Sequence, residues 1–169
     1  TVAVTDIETR LNAGTSVTIT TSPAVSGNGD ILVNAAVFCS ANALTLTAER
    51  DININAVMTA SGSSSLLMNT ATAVFGGNVK AGLSAGSFIG RVDFPVRSGT
   101  GIMTINGNGY TVINSLGAAN SVTGADLQGM SGNLAGYYAL GVDIDASATS
   151  TWNGNLGFTP VGSPATGFT

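Results

Sequence analysis

The sequence predicts an all-β chain wound as a right-handed parallel β-helix (a β-solenoid) with short loop or helical protrusions. Three observations predict it. Period-two alternation of apolar and polar residues recurs in many short segments. The same phrase returns along the chain, as a stacked repeat requires. The composition is aliphatic and poor in charge, with 44% hydrophobic, 6% aromatic and 8% charged residues. Medium aliphatic side chains suit a narrow bore, and each well-buried Ile or Leu contributes about 1.5–3 kcal/mol.

The elements follow in chain order. Asp6–Gly14 has Thr5 or Asp6 as a cap, Ile7 and Leu11 on one face and Gly14 as a stop, which predicts a single helical turn. Val17-Thr18-Ile19-Thr20 is the first strand, followed by Ile31–Ala35, Leu44–Ala48 and Ile52–Ala56. Phe88–Val92, Ile102–Ile105 and Tyr110–Ile113 are the later ones. In each, the apolar side chains fall on one face. Asn28-Gly29-Asp30, Gly76-Gly77-Asn78 and Asn106-Gly107-Asn108-Gly109 supply turns between them. Ala43–Ala48 echoes Ser16–Thr20, and Asp51–Ala56 echoes Asp30–Ala35. Asn34 and Asn55 recur at the same phase, as a side-chain amide ladder between rungs requires. Ala125–Met130 reads as a short helix or turn that projects from the coil.

Charge and composition exclude several functions. The net charge is −4, and only Arg10, Arg50, Lys80, Arg91 and Arg97 are basic. A cationic stripe for phosphates is therefore missing, which excludes nucleic acid as a partner. The chain has no His, the commonest general base and metal ligand. Cys39 is the single cysteine, so no internal disulfide forms, and it reads as a small buried apolar residue. No apolar run approaches the roughly 20 residues of a membrane span. The chain begins at Thr1 and contains no Asn-x-Ser/Thr sequon. We read it as a processed product or a piece of a longer polypeptide.

The stretch 110–162 is distinctive. It contains Tyr110-Thr111-Val112-Ile113, Ala125-Asp126-Leu127-Gln128-Gly129, Gly136-Tyr137-Tyr138-Ala139-Leu140 and Asp143-Ile144-Asp145-Ala146. Trp152-Asn153 and Gly157-Phe158-Thr159-Pro160-Val161-Gly162 complete it. This block resembles a repeat of filamentous-haemagglutinin-like adhesins, the exported partners of two-partner secretion systems. Leu11–Val17 and Leu44–Ile54 are similar to that family as well. The resemblance implies a right-handed parallel β-helix, export across the outer membrane, and adhesion or surface assembly. The 169 residues do not resemble the secretion domain typical of the amino end of that family, and the expectation is a segment of a longer filament. The organisation expected is one β-solenoid segment over 1–169. Residues 1–109 form a first group of rungs, 110–162 the adhesin-type block, and 163–169 the start of a further rung or a linker.

Candidate sites follow from residue chemistry. Asp143 and Asp145, with Asn153 and Asn155 further on, offer oxygen ligands to calcium, but the spacing matches no complete calcium loop. The competing reading gives these two acids turn hydrogen bonds beside Ile144. Tyr137, Tyr138 and Trp152 are candidates for glycan or partner contact, against a role in anchoring a loop. Asp30, Asp51 and Asp93 are the acids to weigh for polysaccharide cleavage, yet they lie dispersed at strand edges. The Thr-x-Thr pairs at Thr18/Thr20 and Thr45/Thr47 have the form of ice-binding arrays, which Asn53-Ile54-Asn55 and Leu66-Leu67-Met68 interrupt. Gly86–Gly90 has Gly-x-x-x-Gly spacing but is too short for a membrane dimer.

The function expected is a structural or adhesive segment of a large bacterial secreted or cell-surface filamentous protein, without catalytic activity and without a cofactor. Its partners are neighbouring repeats or identical subunits stacked head to tail, with host-surface or matrix glycans or proteins beyond them. A carbohydrate-binding β-helix module is the alternative, followed by a β-helix polysaccharide hydrolase or lyase.

Overall fold

The computed structural model describes residues 1–21, 28–71, 76–84, 87–88 and 90–162. The chain opens with helix α1 (Val4–Asn12). Ile7 and Leu11, one turn apart, bury their side chains to 6% and 0% exposure. The helix ends at Gly14 (φ 90), where Gly14 N–H donates to Leu11 O and Thr15 N–H to Arg10 O. The expected single turn is thus a nine-residue helix that closes one end of the core.

Fourteen strands follow among the described residues. They are β1 (Val17–Thr20), β2 (Ile31–Val33), β3 (Val37–Cys39), β4 (Ala43–Ala48), β5 (Ile52–Ile54), β6 (Val57–Ala60) and β7 (Ser65–Thr70). Next come β8 (Val79–Ala81), β9 (Leu83–Ser84), β10 (Ser87–Phe88), β11 (Arg91–Asp93), β12 (Gly99–Ile105), β13 (Asn108–Ile113) and β14 (Tyr137–Leu140). Two 3-10 stretches, Gln128–Gly132 and Ser147–Gly154, flank β14. One sheet has six strands in the order β1-β4-β7-β12-β13-β14. Two further sheets have the orders β2-β5-β8 and β3-β6-β11, and β9 pairs with β10.

Register explains the echoes in the sequence. Val17, Leu44 and Leu66 stack on one another, as do Ile19, Leu46 and Met68. Ile31, Ile52 and Val79 stack in the second sheet, and Val37, Met58 and Val92 in the third. All these pairings are parallel, so side chains of like phase share one core. The outward column Thr18–Thr45–Leu67–Thr104 is broken by Leu67, as the sequence suggests.

The fold class must be corrected. The chain is not all-β and not a closed solenoid. It is an α/β fold, with a mixed but mostly parallel six-stranded sheet, two three-stranded sheets and helical segments. Two local features cause the difference. Helix α1 belongs to the core through Ile7 and Leu11. At Asn106 (φ 49) and Gly107 (φ 80) a two-residue loop with positive φ at both positions turns the chain back, and β12 pairs antiparallel with β13. Such Asn-Gly loops match the twist of a hairpin. They do not continue a parallel coil. The smaller sheets end at β8 and β11, while the large sheet goes on through β13 to β14.

Of the other expectations, 17–20, 44–48, 102–105 and 110–113 fall within strands, 31–35 and 52–56 stop two residues early, and Asp6–Gly14 is displaced by two residues from α1. Ile89 in 88–92, Gly86 and Ile89 in the Gly-x-x-x-Gly stretch, and 163–169 lie outside the described residues.

Candidate functional site

The stacked rungs bring acids together that are dispersed in the sequence. Ile31 pairs with Ile52 and Ile52 with Val79, so Asp30, Asp51 and Asn78 occupy equivalent positions. Asp51 N–H donates to Asp30 Oδ1 at 3.1 Å, and Asn78 N–H donates to Asp51 Oδ1 at 2.9 Å. Arg50 grips Asp30 in a bidentate pair, Nε to Oδ1 at 2.8 Å and Nη2 to Oδ2 at 2.6 Å. Lys80 Nζ donates to Asp51 Oδ2 at 2.5 Å.

These contacts fix the protonation states. Arg50 holds the Asp30 carboxyl below the usual carboxylate range, helped by the Asp51 N–H. Lys80, then the Asn78 N–H, does the same for Asp51. Asp30 in turn raises the Arg50 guanidinium. A cleavage site for glycosides needs one carboxyl that keeps its proton near neutral pH. Here both are ionised and each is occupied by a cation and a main-chain donor. Asp93 is likewise engaged, by Arg91 Nε at 2.9 Å. The repeated Asp-Ile phrase was the signal for the Asp30–Asp51 stack. The cations were hidden because register, not sequence proximity, supplies them.

A second polar cluster organises the carboxyl-terminal block. Asp126 is buried to 8% exposure. It accepts hydrogen bonds from Ser121 Oγ at 2.7 Å, Thr123 Oγ1 at 2.5 Å and Gly129 N–H at 2.6 Å. Burial pushes its carboxyl up, but the Thr123, Ser121 and Gly129 donors outweigh burial and hold it below the usual range. Gln128, 1% exposed, exchanges two hydrogen bonds of 3.1 Å with the Thr159 backbone. Ala125–Gly129 is therefore a clasp that ties 121 to 159.

The candidate aromatic residues fall into two groups. Tyr137, on β14, is 49% exposed and tilts against Tyr110, with ring centroids 5.4 Å apart. Tyr138 is half-buried, its O–H donates to Asn133 O at 2.7 Å, and burial raises its phenol. Trp152 stacks on Phe158 at 6.3 Å with 20° between the planes. Trp152 and Tyr137 are thus each matched to a ring of their own group.

Asp143 and Asp145 are both exposed. Asp145 Oδ1 accepts Ser147 N–H at 2.8 Å, a local turn that lowers its carboxyl. Asp143 lines a shallow hollow with Arg91, Asp93, Pro95 and Val142. Among the described residues, no three His, Cys, Asp or Glu side chains gather as metal ligands. Cys39 lies in the core, where burial, then Glu8, pushes its thiol up to about 11.

At the amino-terminal end a groove of about 480 Å³ runs between α1 and β1. Val2, Ile7, Val17 and Ile19 give it apolar walls, and Asp6 and Arg10 its charges. Among the described residues, no helix is long and apolar enough to cross a membrane. The chain matches no family model, no curated protein and no solved structure.

Proposed function

We propose that the chain is a structural and adhesive segment of a large bacterial secreted or cell-surface filamentous protein, of the filamentous-haemagglutinin-like kind. The observation that carries this reading is the in-register stacking of like residues on successive strands, Val17–Leu44–Leu66 and Ile31–Ile52–Val79. A ladder of this kind transmits load through main-chain hydrogen bonds and grows by adding strands. The engaged carboxylates of Asp30 and Asp51 support a structural role for the acids that cleavage would need. The test is to coat beads with the protein, then measure adherence to cells and matrix together with release of sugar from polysaccharides. Adherence without cleavage is expected. Sustained release of reducing sugar overturns the reading.

A carbohydrate-binding module is the second reading, favoured by the half-exposed Trp152 stacked on Phe158. Glycan-array binding that disappears in Trp152→Ala would establish it.

A further inference from the structure

We propose that the α1–β1 groove receives the β14 edge of a second copy of this chain, so that β14 adds antiparallel to β1 and Asp143 reaches Arg10. This rests on the filament reading above and names the contact that would build it.

β1 and β14 are the two outermost strands of one sheet. Among the described residues, no strand pairs with the far edge of either. Neither edge carries a Lys, Glu or Pro to block pairing: β1 reads Val-Thr-Ile-Thr and β14 Tyr-Tyr-Ala-Leu. The core face is also only partly covered at both edges. Val17 and Ile19 are half-buried, whereas Leu44 and Leu46, stacked on them, are 1% and 2% exposed. At the other edge Tyr137 shares its phase with Val112, yet is 49% exposed while Val112 is 0%.

Nearby outward positions agree. Leu32 and Phe38, on the first strands of the smaller sheets, are 57% and 49% exposed. The residues that follow them in the ladders are Asn53 and Lys80, and Thr59 and Asp93. Large apolar side chains thus face outward on the terminal strands, where later strands carry polar ones. Such a rim fits a surface that another protein covers.

Strand sense and charge then select the arrangement. β14 is parallel to β13, β13 is antiparallel to β12, and β12, β7, β4 and β1 are parallel. If a second copy continues the sheet with its core face on the same side, its β14 runs antiparallel to β1. Keeping Tyr137 and Ala139 on the core face allows the fully overlapped register that sets them opposite Ile19 and Val17. In that register the segment after β14 that carries Asp143 runs toward the turn between α1 and β1, next to Arg10 in the last turn of α1. Among the described residues Arg10 and Asp143 are both exposed and neither side chain has an ion partner. Asp6 shares the groove with Arg10 and Arg91 shares the hollow with Asp143, yet neither forms an ion pair with its neighbour, so Arg10 and Asp143 can pair across the contact. The contact uses different surfaces on the two copies and does not close, so it propagates as a linear assembly.

The test is sedimentation of the 169-residue chain over a wide range of concentrations. Mass should rise with concentration. Arg10→Glu and Asp143→Arg should each move the association midpoint upward by about tenfold or more. An equimolar mixture of the two should restore assembly, because each reversed charge then faces its complement on the other variant. Ile19→Lys, checked for folding by circular dichroism, should abolish assembly. Assembly indifferent to all three variants overturns this docking and leaves self-stacking in place. A monomer at every concentration overturns the docking as well. Neither result touches the adherence and cleavage measurements, which decide the functional reading on their own.

Discussion

Asn55 Nδ2 donates to Asn34 Oδ1 across 2.8 Å, joining the residues that directly follow β5 and β2. The next equivalent position is Gly82, after Ala81 on β8, so the amide ladder stops after one step. Both Asn residues are exposed, which places the bond at the weak end of the hydrogen-bond range. Asn55→Ala should cost about 0.5–1 kcal/mol. A double-mutant cycle with Asn34→Ala, read by urea denaturation, should recover most of that as coupling. Additive losses would show that the contact carries no stability.

Side-chain phase sets the second prediction. Ile54 is 2% exposed, whereas Asn53 points outward between Leu32 and Lys80. Ile54→Asp buries a charge with no partner and should unfold the protein at room temperature. Asn53→Asp should change stability by less than about 0.5 kcal/mol, since Lys80 adjoins it. Equal effects in thermal melts would contradict the phase.

Acid should destabilise the fold through three part-buried carboxylates, beyond the exposed turn at Asp145. Asp30, Asp51 and Asp126 have lowered values in the folded state. Their stabilisation is fully present above the unfolded carboxyl value, about pH 4, and is lost as pH falls through the still lower folded values. The melting temperature should therefore hold from pH 7 to about 5 and fall below about 4. Asp126→Asn should flatten part of that fall and cost about 1–3 kcal/mol at neutral pH, since three donors lose their anion. An unchanged acid profile in this variant would remove Asp126 from the account.

The hairpin at Asn106-Gly107 gives a fourth. Gly107 has φ 80, where any side chain is strained. Gly107→Ala should cost about 1–2 kcal/mol by chemical denaturation. Asn106 Oδ1 also accepts Thr70 N–H at 2.7 Å and its Nδ2 donates to Thr70 Oγ1 at 3.1 Å, so Asn106→Gly should keep the turn and lose these links to Thr70. A neutral Gly107→Ala would mean that the turn adopts another geometry in solution.

Cys39 supplies the fifth. A thiol raised to about 11 and 4% exposed should resist alkylation at pH 8 in the native protein and react fully in denaturant. Fast native labelling would show that the core around β3 opens.

Much of the fold was legible where local pattern and packing agree. The period-two phrases at 17–20, 44–48 and 52–54 are strands, and the echo of Asp30-Ile31 in Asp51-Ile52 is a true stacking pair. The class was misread at two points where local chemistry outweighs the repeat. Asn106-Gly107 has the signature of a hairpin loop, yet a turn within a coil and a turn that reverses it share the same residues until strand partners are known. Helix α1 has only Ile7 and Leu11 as buried anchors, too few for the sequence to show nine residues of helix. β3, β6 and β7 were missed because Val37-Phe38-Cys39, Val57-Met58-Thr59-Ala60 and Ser65-Leu66-Leu67-Met68 alternate in burial but not in polarity. Among the candidate site residues, Tyr137 sits on the sheet edge as an exposed aromatic. The partners of Asp30, Asp51 and Asp126 depended on register and on a folded loop.

The hydroxyls of Thr21 and Thr70 occupy equivalent places in the large sheet's ladder, next to Ala48. Thr21 Oγ1 donates to Gly29 O at 2.8 Å, and Thr70 Oγ1 to Gly77 O at 2.9 Å. On the intervening strand the chain passes from Ala48 to Arg50 directly, and no such hydroxyl is present. Each threonine therefore ties the end of a large-sheet stretch to a residue just ahead of the second sheet. The join between the large sheet and the second sheet is thus held at Thr21–Gly29 and Thr70–Gly77 by a hydroxyl that the strand between them does without.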